Sequence, residues 1–189
     1  MKTFSVCTLG CKVNAYDAAA MRALFFQGGY AEVSFEEAAD IALIVTCTVT
    51  AVADKKSRAM IRRAARTAKV IVAGCLAQRS AAELLAMDGV GAVVGTDGRA
   101  RIVGVAGRLL SGEEKIDATT DIADCGFEPL RVPDTGAHTR GVIKVQEGCD
   151  NFCSYCIIPY VRGRSRSRPL ADIVREAEAL AAGGAKELV

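Results

Sequence analysis

Ile41-Ala42-Leu43-Ile44-Val45-Thr46 is a run of five apolar residues closed by a threonine, followed after Cys47 by a helical pattern from about Val52 to Ala68 and then by Val70-Ile71-Val72-Ala73. A short β-branched run without polar alternation reads as a buried strand, and a helix between two such runs is the usual crossover of a parallel pair. The pattern extends in both directions. Phe4 to Thr8 reads as a strand and Tyr16 to Gln27 as a helix stopped by Gly28 and Gly29; a helix around Ala81 to Met87, a strand Ala92 to Val94 and a helix Arg99 to Leu110 continue it downstream. The expected fold class is α/β, with residues 1–110 forming an N-terminal parallel sheet covered by helices. Ligands of such sheets gather at the carboxyl ends of the strands.

Residues 111–138 break the pattern. Gly112, Gly126, Gly136, Pro129 and Pro133 among acids and threonines read as a connector. In residues 139–189, Gly141 to Gln146 reads as a strand, Gly148 to Arg168 as a long loop and Leu170 to Ala182 as a helix stopped by Gly183 and Gly184, with a new strand from Lys186. These are the first units of a partial (β/α) barrel, and because a complete eight-unit barrel needs about 200 residues or more, the chain is expected to be truncated.

Apolar residues make up 51% of the 189 and charged residues 24%, with no low-complexity tract, which excludes an intrinsically disordered chain. Met1 to Thr8 lacks the apolar block of an export signal, and Thr46, Thr48 and Thr50 interrupt the longest apolar run, so no membrane span and a cytoplasmic location are expected. Eight cysteines in a reducing compartment point to metal or catalytic duty rather than disulfides.

Cys149-Asp150-Asn151-Phe152-Cys153-Ser154-Tyr155-Cys156 sits between the strand and the helix of the third segment. Three thiolates at these short offsets suit three irons of a 4Fe–4S cubane, leaving the fourth open, whereas purely electron-transferring clusters take four cysteines. Structural zinc is the competing reading, and it wants a fourth ligand for which only His138 is at hand. Cys11, Cys47 and Cys75 form a second set: each follows a predicted strand, which puts all three at one edge of the sheet. Free cysteines are also good small hydrophobes, and both readings of this set stand on spacing alone; Cys7 and Cys125 fit the buried-hydrophobe reading better.

The net charge of +2 hides two basic stretches that hold eleven of the 24 Lys and Arg residues. Lys55, Arg58, Arg62, Arg66 and Lys69 recur at helical spacing, with too few acids interleaved for pairing one turn apart, and suit a polyanion such as RNA; a solvated helix face is the alternative. Arg162, Arg164, Arg166 and Arg168 follow the cysteine loop and suit phosphate by their planar forks, the alternative being a solvent-facing loop.

Both cysteine sets, with Thr8-Leu9-Gly10-Cys11-Lys12-Val13-Asn14 and Ile157-Ile158-Pro159-Tyr160-Val161-Arg162-Gly163-Arg164, resemble the methylthiotransferase family of radical S-adenosylmethionine enzymes. The opening motif resembles the subgroup acting on threonylcarbamoyladenosine in tRNA (MtaB-like). The resemblance implies two 4Fe–4S clusters, one on Cys149, Cys153 and Cys156 that binds S-adenosylmethionine and cleaves it to a 5′-deoxyadenosyl radical, and an auxiliary one on Cys11, Cys47 and Cys75 that carries the sulfur. It implies a methylthio group placed on C2 of N6-threonylcarbamoyladenosine at tRNA position 37. It further implies Tyr155 near the adenine of S-adenosylmethionine, Asn14 behind the auxiliary ligands, the tRNA anticodon stem-loop as partner and a flavodoxin-type electron donor. Family members continue through the rest of a partial barrel, so a chain ending at Val189 is expected to hold clusters without completing turnover. The rival readings are a methylthiotransferase acting on isopentenyladenosine in tRNA or on a ribosomal-protein aspartate, and a non-catalytic metal-containing RNA-binding module.

Overall fold

A computed structural model describes residues 1–123, 125–132 and 139–189. The connector boundary near residue 138, and His138 with it, lie outside the described residues. The N-terminal part is one six-stranded sheet, all parallel, built from β1 (Thr3–Thr8), β2 (Ala31–Glu32), β3 (Ile41–Thr46), β4 (Lys69–Gly74), β5 (Val90–Val94) and β6 (Ile116–Asp117) in the order β2-β1-β3-β4-β5-β6. The helices are α1 (Lys12–Gln27), α2 (Ala51–Ala64), α3 (Cys75–Arg79), α4 (Ala81–Leu85) and α5 (Ile102–Leu110), the last preceded by a 3-10 turn at Arg99–Arg101.

Every residue of β3 is buried: the five apolar ones as their run requires, and Thr46 with its hydroxyl donating to Ala73 O at 2.7 Å. Ile41, Leu43 and Val45 join the core under α1 and α5 with Phe4, Met21, Phe25 and Ile102; Ala42 and Ile44 join the opposite core under α2, α3 and α4 with Ile61, Leu76 and Leu84. Burying each such Ile or Leu contributes roughly 1.5–3 kcal/mol, so β3 is the strand that fixes the register of both layers.

Several boundaries differ from the expected ones. Helix α1 begins at Lys12 rather than Tyr16, with Cys11 at its N-cap. Helix α2 ends at Ala64, because the turn after it packs Ala65 against Gly89; Arg66 therefore lies beyond the helix, and Lys69 begins β4 with its ammonium donating to Leu109 O at 3.0 Å. The helix expected around Ala81 to Met87 is preceded by a separate short one, α3, that starts directly at Cys75. Strand β6 carries the sheet into the stretch read as connector.

Beyond the connector, the strand expected over Gly141 to Gln146 is two short ones with different partners. β7 (Arg140–Gly141) pairs in parallel with β10 (Glu187–Leu188) across α7 (Leu170–Ala182), the β/α/β unit a barrel starts with. β8 (Gln146–Glu147) pairs antiparallel with β9 (Arg166–Ser167). The stretch between these two strands is therefore not a plain loop: it is a hairpin holding the cysteine turn and a short helix, α6 (Ile158–Arg162). Among the described residues no helix is long and apolar enough to cross a membrane.

Candidate functional site

The chain runs from β1 outward to β2 and then back to β3 on the other side of β1, so the strand order reverses between β1 and β3. The crevice at the carboxyl ends of those strands is where ligands bind in open α/β sheets. Cys11 follows β1 by three residues, Cys47 follows β3 directly and Cys75 follows β4 directly. Two glycines make this edge. Gly10 lies at φ +107, and a Cβ on it would stand 2.7 Å from Cys47 Cβ and 2.9 Å from Asn14 Nδ2. Gly74 lies at φ +97, and a Cβ there would stand 2.7 Å from Thr46 O. Neither position accepts a side chain without moving the neighbouring strand end.

Asn14 is buried in the first turn of α1 and ties the edge together. Its Nδ2 donates to Leu9 O at 2.6 Å and to Thr46 O at 2.9 Å, the carbonyls leading into Cys11 and Cys47. Its Oδ1 accepts from Arg162 Nη2 at 2.7 Å. Arg162 Nε donates to Cys75 Sγ at 3.2 Å and Nη1 pairs with Glu147. Burial pushes the Cys75 thiol up; the Arg162 cation pulls the other way, and the neighbouring sulfurs of Cys47 and Cys11 push it up further. Cys75 is thus within electrostatic reach of both other thiols. Burial alone would disfavour the Arg162 charge, yet Cys75, Glu147 and Asp17 hold its pKa above the ordinary arginine value.

Cys149, Cys153 and Cys156 lie along the turn between β8 and α6, with Cys153 exposed and the other two half-buried. Cys156 N donates to Cys153 O at 2.9 Å, and Cys149 N to Gly163 O at 3.1 Å. Phe152 takes a positive φ of 45, packs edge-on to Tyr160 with centroids 5.5 Å apart, and carries the Arg164 guanidinium 4.4 Å above its ring. Tyr155 is 90% exposed.

Among the described residues no three Cys, His, Asp or Glu side chains are gathered in a way that would suit a single metal ion. A cubane, with its irons spread over the corners of a cube, needs thiolates held further apart. The donor chemistry fits such clusters: each set offers three cysteine sulfurs, the ligand type of Fe–S centres, and in the set of exposed Cys11 with buried Cys47 and Cys75 a permanent cation stands beside Cys75 to balance thiolate charge.

The basic residues divide. Lys55, Arg62 and Arg66 are exposed, whereas Arg58 donates to Asp54 Oδ1 at 2.8 Å one turn back and pairs with Glu83 at 2.8 Å. One interleaved acid, Asp54, therefore does pair one turn apart on this helix, contrary to the expectation, and Glu83 of α4 adds a second partner. Lys55, Arg58 and Arg62 line a cleft of about 470 Å³ with Thr48, Asp54 and Arg79. Arg79 was missed by sequence reasoning, although it stands four residues after Cys75 and so belongs to the same strand end. Arg164 is exposed and Arg166 half-buried, its Nη1 donating to Cys125 Sγ at 2.6 Å. Arg162 and Arg168 were expected to face RNA and do not: both are buried, the first in the network above and the second paired with Glu176, which also accepts from Tyr16 Oη at 2.9 Å.

Sequence reasoning also missed the charges that join the two parts of the chain. Arg99, 2% exposed, pairs with Asp17 of α1, with Glu128 at 2.8 Å and with Glu147 at 3.0 Å. Lys144 Nζ lies 2.7 Å from both Asp17 and Glu147. A signal was present in Asp17, an acid set among Tyr16, Ala18, Ala19, Ala20 and Met21 on a helix that had to be buried.

Residues 3–95 match the family model described as Uncharacterized protein family UPF0004, and residues 143–189 match that of the Radical SAM superfamily. The chain is 43% identical to the threonylcarbamoyladenosine tRNA methylthiotransferase MtaB of Bacillus subtilis, an alignment covering 100% of this chain and 43% of that protein. It is 36% identical to the tRNA-2-methylthio-N(6)-dimethylallyladenosine synthase of Sphingopyxis alaskensis (99% and 43% covered) and 38% identical to the ribosomal protein uS12 methylthiotransferase RimO of a Synechococcus species (98% and 41%). The chain thus spans less than half the length of the curated relatives it matches. The two family matches flank the connector, they contain the two cysteine sets, and each relative aligns across both: the chain belongs to the radical SAM methylthiotransferase family.

Proposed function

We propose that this chain carries both iron–sulfur centres of a tRNA methylthiotransferase that modifies C2 of N6-threonylcarbamoyladenosine. The observation that carries the reading is the link between the two cysteine sets: Arg162 touches Cys75, and the next residue, Gly163, accepts the amide hydrogen bond of Cys149. When bound, the 4Fe–4S cluster on Cys149, Cys153 and Cys156 would supply an electron that cleaves S-adenosylmethionine to a radical, and the one on Cys11, Cys47 and Cys75 would present the sulfur to be transferred.

The protein's own part is placement. The turn from Cys153 to Cys156 exposes Tyr155 next to the half-buried Cys156, which would offer its ring to the adenine of S-adenosylmethionine. The cleft lined by Lys55, Arg62 and Arg79 opens at the residues following Cys47 and Cys75, so a tRNA phosphate held there would bring a nucleotide to the sulfur-bearing edge. The threonylcarbamoyladenosine subgroup is favoured by Thr8-Leu9-Gly10-Cys11-Lys12-Val13-Asn14 and by the 43% identity to the Bacillus subtilis protein.

Anaerobic reconstitution followed by iron and sulfide analysis tests the two centres: about eight irons per chain is expected, and about four, or zinc without sulfide, would reject the two-cluster reading. The substrate is tested by mass analysis of tRNA nucleosides from cells lacking the gene. Loss of the methylthio form of threonylcarbamoyladenosine is expected; an unchanged profile would reject the subgroup.

A further inference from the structure

We propose that Arg162 is the positioning residue of the auxiliary cysteine site, holding the Cys75 sulfur directly and the Cys11 and Cys47 loops through Asn14, and raising by its fixed charge the reduction potential of a cluster held there. The inference rests on the assignment of those three cysteines to a cluster. Arg162 belongs to α6, six residues after Cys156, yet its side chain is buried at the end of the parallel sheet. Each end of its planar fork has a separate task. Nε donates to Cys75 Sγ at 3.2 Å, Nη2 to Asn14 Oδ1 at 2.7 Å, and Nη1 pairs with Glu147. Asn14 passes the constraint on, since its Nδ2 holds the carbonyls of Leu9 and Thr46. One guanidinium therefore reaches the ends of β1, β3 and β4, where the three thiols stand. The backbone around it is equally constrained: Thr96 Oγ1 donates to Val161 O at 2.5 Å, and Gly163 O accepts from Cys149 N at 3.1 Å.

The charge follows from the same geometry. Reducing a cluster by one electron adds a negative charge, and potentials of such clusters depend on net charge, on hydrogen bonds to the sulfurs and on exposure. A guanidinium bonded to a ligand sulfur in a buried site acts on the first two, and it stays charged at every working pH. Lysine at this position would keep the charge but lose the fork, so it would satisfy Glu147 or Asn14 while releasing Cys75.

The test uses the full-length protein in a background where Cys149, Cys153 and Cys156 are alanine, so that only the auxiliary cluster reports. Because Arg162→Met alone leaves the buried charge network with one negative charge in excess, it is combined with Glu147→Gln, which restores the balance there; Glu147 lies on the far side of the guanidinium from Cys75, bonded to Nη1 rather than Nε, so the charge lost beside the sulfur is the positive one. Iron content and a potentiometric titration followed by electron paramagnetic resonance are the readouts. At the wild-type midpoint the reduced-to-oxidised ratio of the double variant is expected to fall at least tenfold, a downward shift of about 59 mV for a one-electron couple; a fall in iron content to under half also supports the proposal. A double variant with full iron and an unshifted midpoint overturns it. If the double variant does not fold, Arg162→Lys decides: a lowered midpoint or iron below half supports the positioning role, and wild-type values for both overturn it. A wild-type chain that takes up no second cluster overturns this proposal together with the reading beneath it, and so is distinguishable from the failure of Arg162 alone.

Discussion

Arg99→Met should destabilise the cluster-free chain by more than any surface substitution can. Three carboxylates (Asp17, Glu128 and Glu147) and three cations (Arg99, Lys144 and Arg162) make one connected network whose side chains are all under a tenth exposed. The network is balanced as it stands. Removing Arg99 leaves one uncompensated negative charge in the interior and takes a partner from each of the three carboxylates at once. Breaking a buried pair in this way costs about 3–5 kcal/mol. For a chain of this size 1 kcal/mol moves the midpoint by about 2–4 °C, so thermal unfolding should begin roughly 6–20 °C lower. Glu128→Gln added to Arg99→Met restores the balance, and the glutamine oxygen still accepts the Ala100 amide bond, which is 2.7 Å long; at least half of the loss should return. Arg140→Ala is the control, since the Arg140–Glu187 pair is 59% and 53% exposed and such pairs are worth about 0–1 kcal/mol. Urea or thermal unfolding measures all three. A loss under about 1 kcal/mol for Arg99→Met, or a double variant no better than the single, would refute the buried-charge argument.

Gly74→Ala forces a side chain against Thr46 O from a left-handed backbone, and should cost about 1–3 kcal/mol and lower the iron bound after reconstitution, both measurable on one preparation. Asn14→Ala leaves the buried carbonyls of Leu9 and Thr46 without their donor; a loss of about 1–3 kcal/mol is expected, with iron falling toward the content of a single centre. Neutralising Lys55, Arg62 and Arg66 together should weaken tRNA binding and flatten its salt dependence by up to about 0.9 in slope for each phosphate that is no longer neutralised. Filter binding over a salt series would read this, and an unaltered slope would leave these residues as a solvated surface.

The sheet was legible because β3 and β4 contain continuous apolar runs and β1 alternates polar with apolar residues; β3, buried at every position, could hardly be read otherwise. β2 and β6 were not, since two residues carry no period, and they are strands only because β1 and β5 offer open edges to pair with. The cysteine positions were legible for the same reason as the sheet: once β1, β3 and β4 are placed, Cys11, Cys47 and Cys75 must share an edge. The arginines were not legible. Arg162, Arg164, Arg166 and Arg168 alternate with small residues and look alike, but the hairpin of β8 and β9 and the docking of α6 bury the first and last while leaving Arg164 outside. Which of them face solvent depends on Glu147 and Glu176, acids supplied by other elements, and no local pattern carries that information.

Placing so many charges in the join between the sheet and the cysteine hairpin is not a route to stability, because well-packed apolar residues would do as well or better. It is a route to fixed geometry. An apolar join between α3 and α6 could slide by fractions of an ångström with little loss, whereas Arg162 must meet a sulfur, an amide oxygen and a carboxylate at once, each with its own direction. The function proposed above, in which chemistry would pass from one cysteine set to the other, would need that distance held rather than merely favoured. The join can hold it because Glu147, the carboxylate Arg162 meets, is itself held by Arg99 and Lys144, which also pair with Asp17, so the fork closes on a partner fixed from other directions.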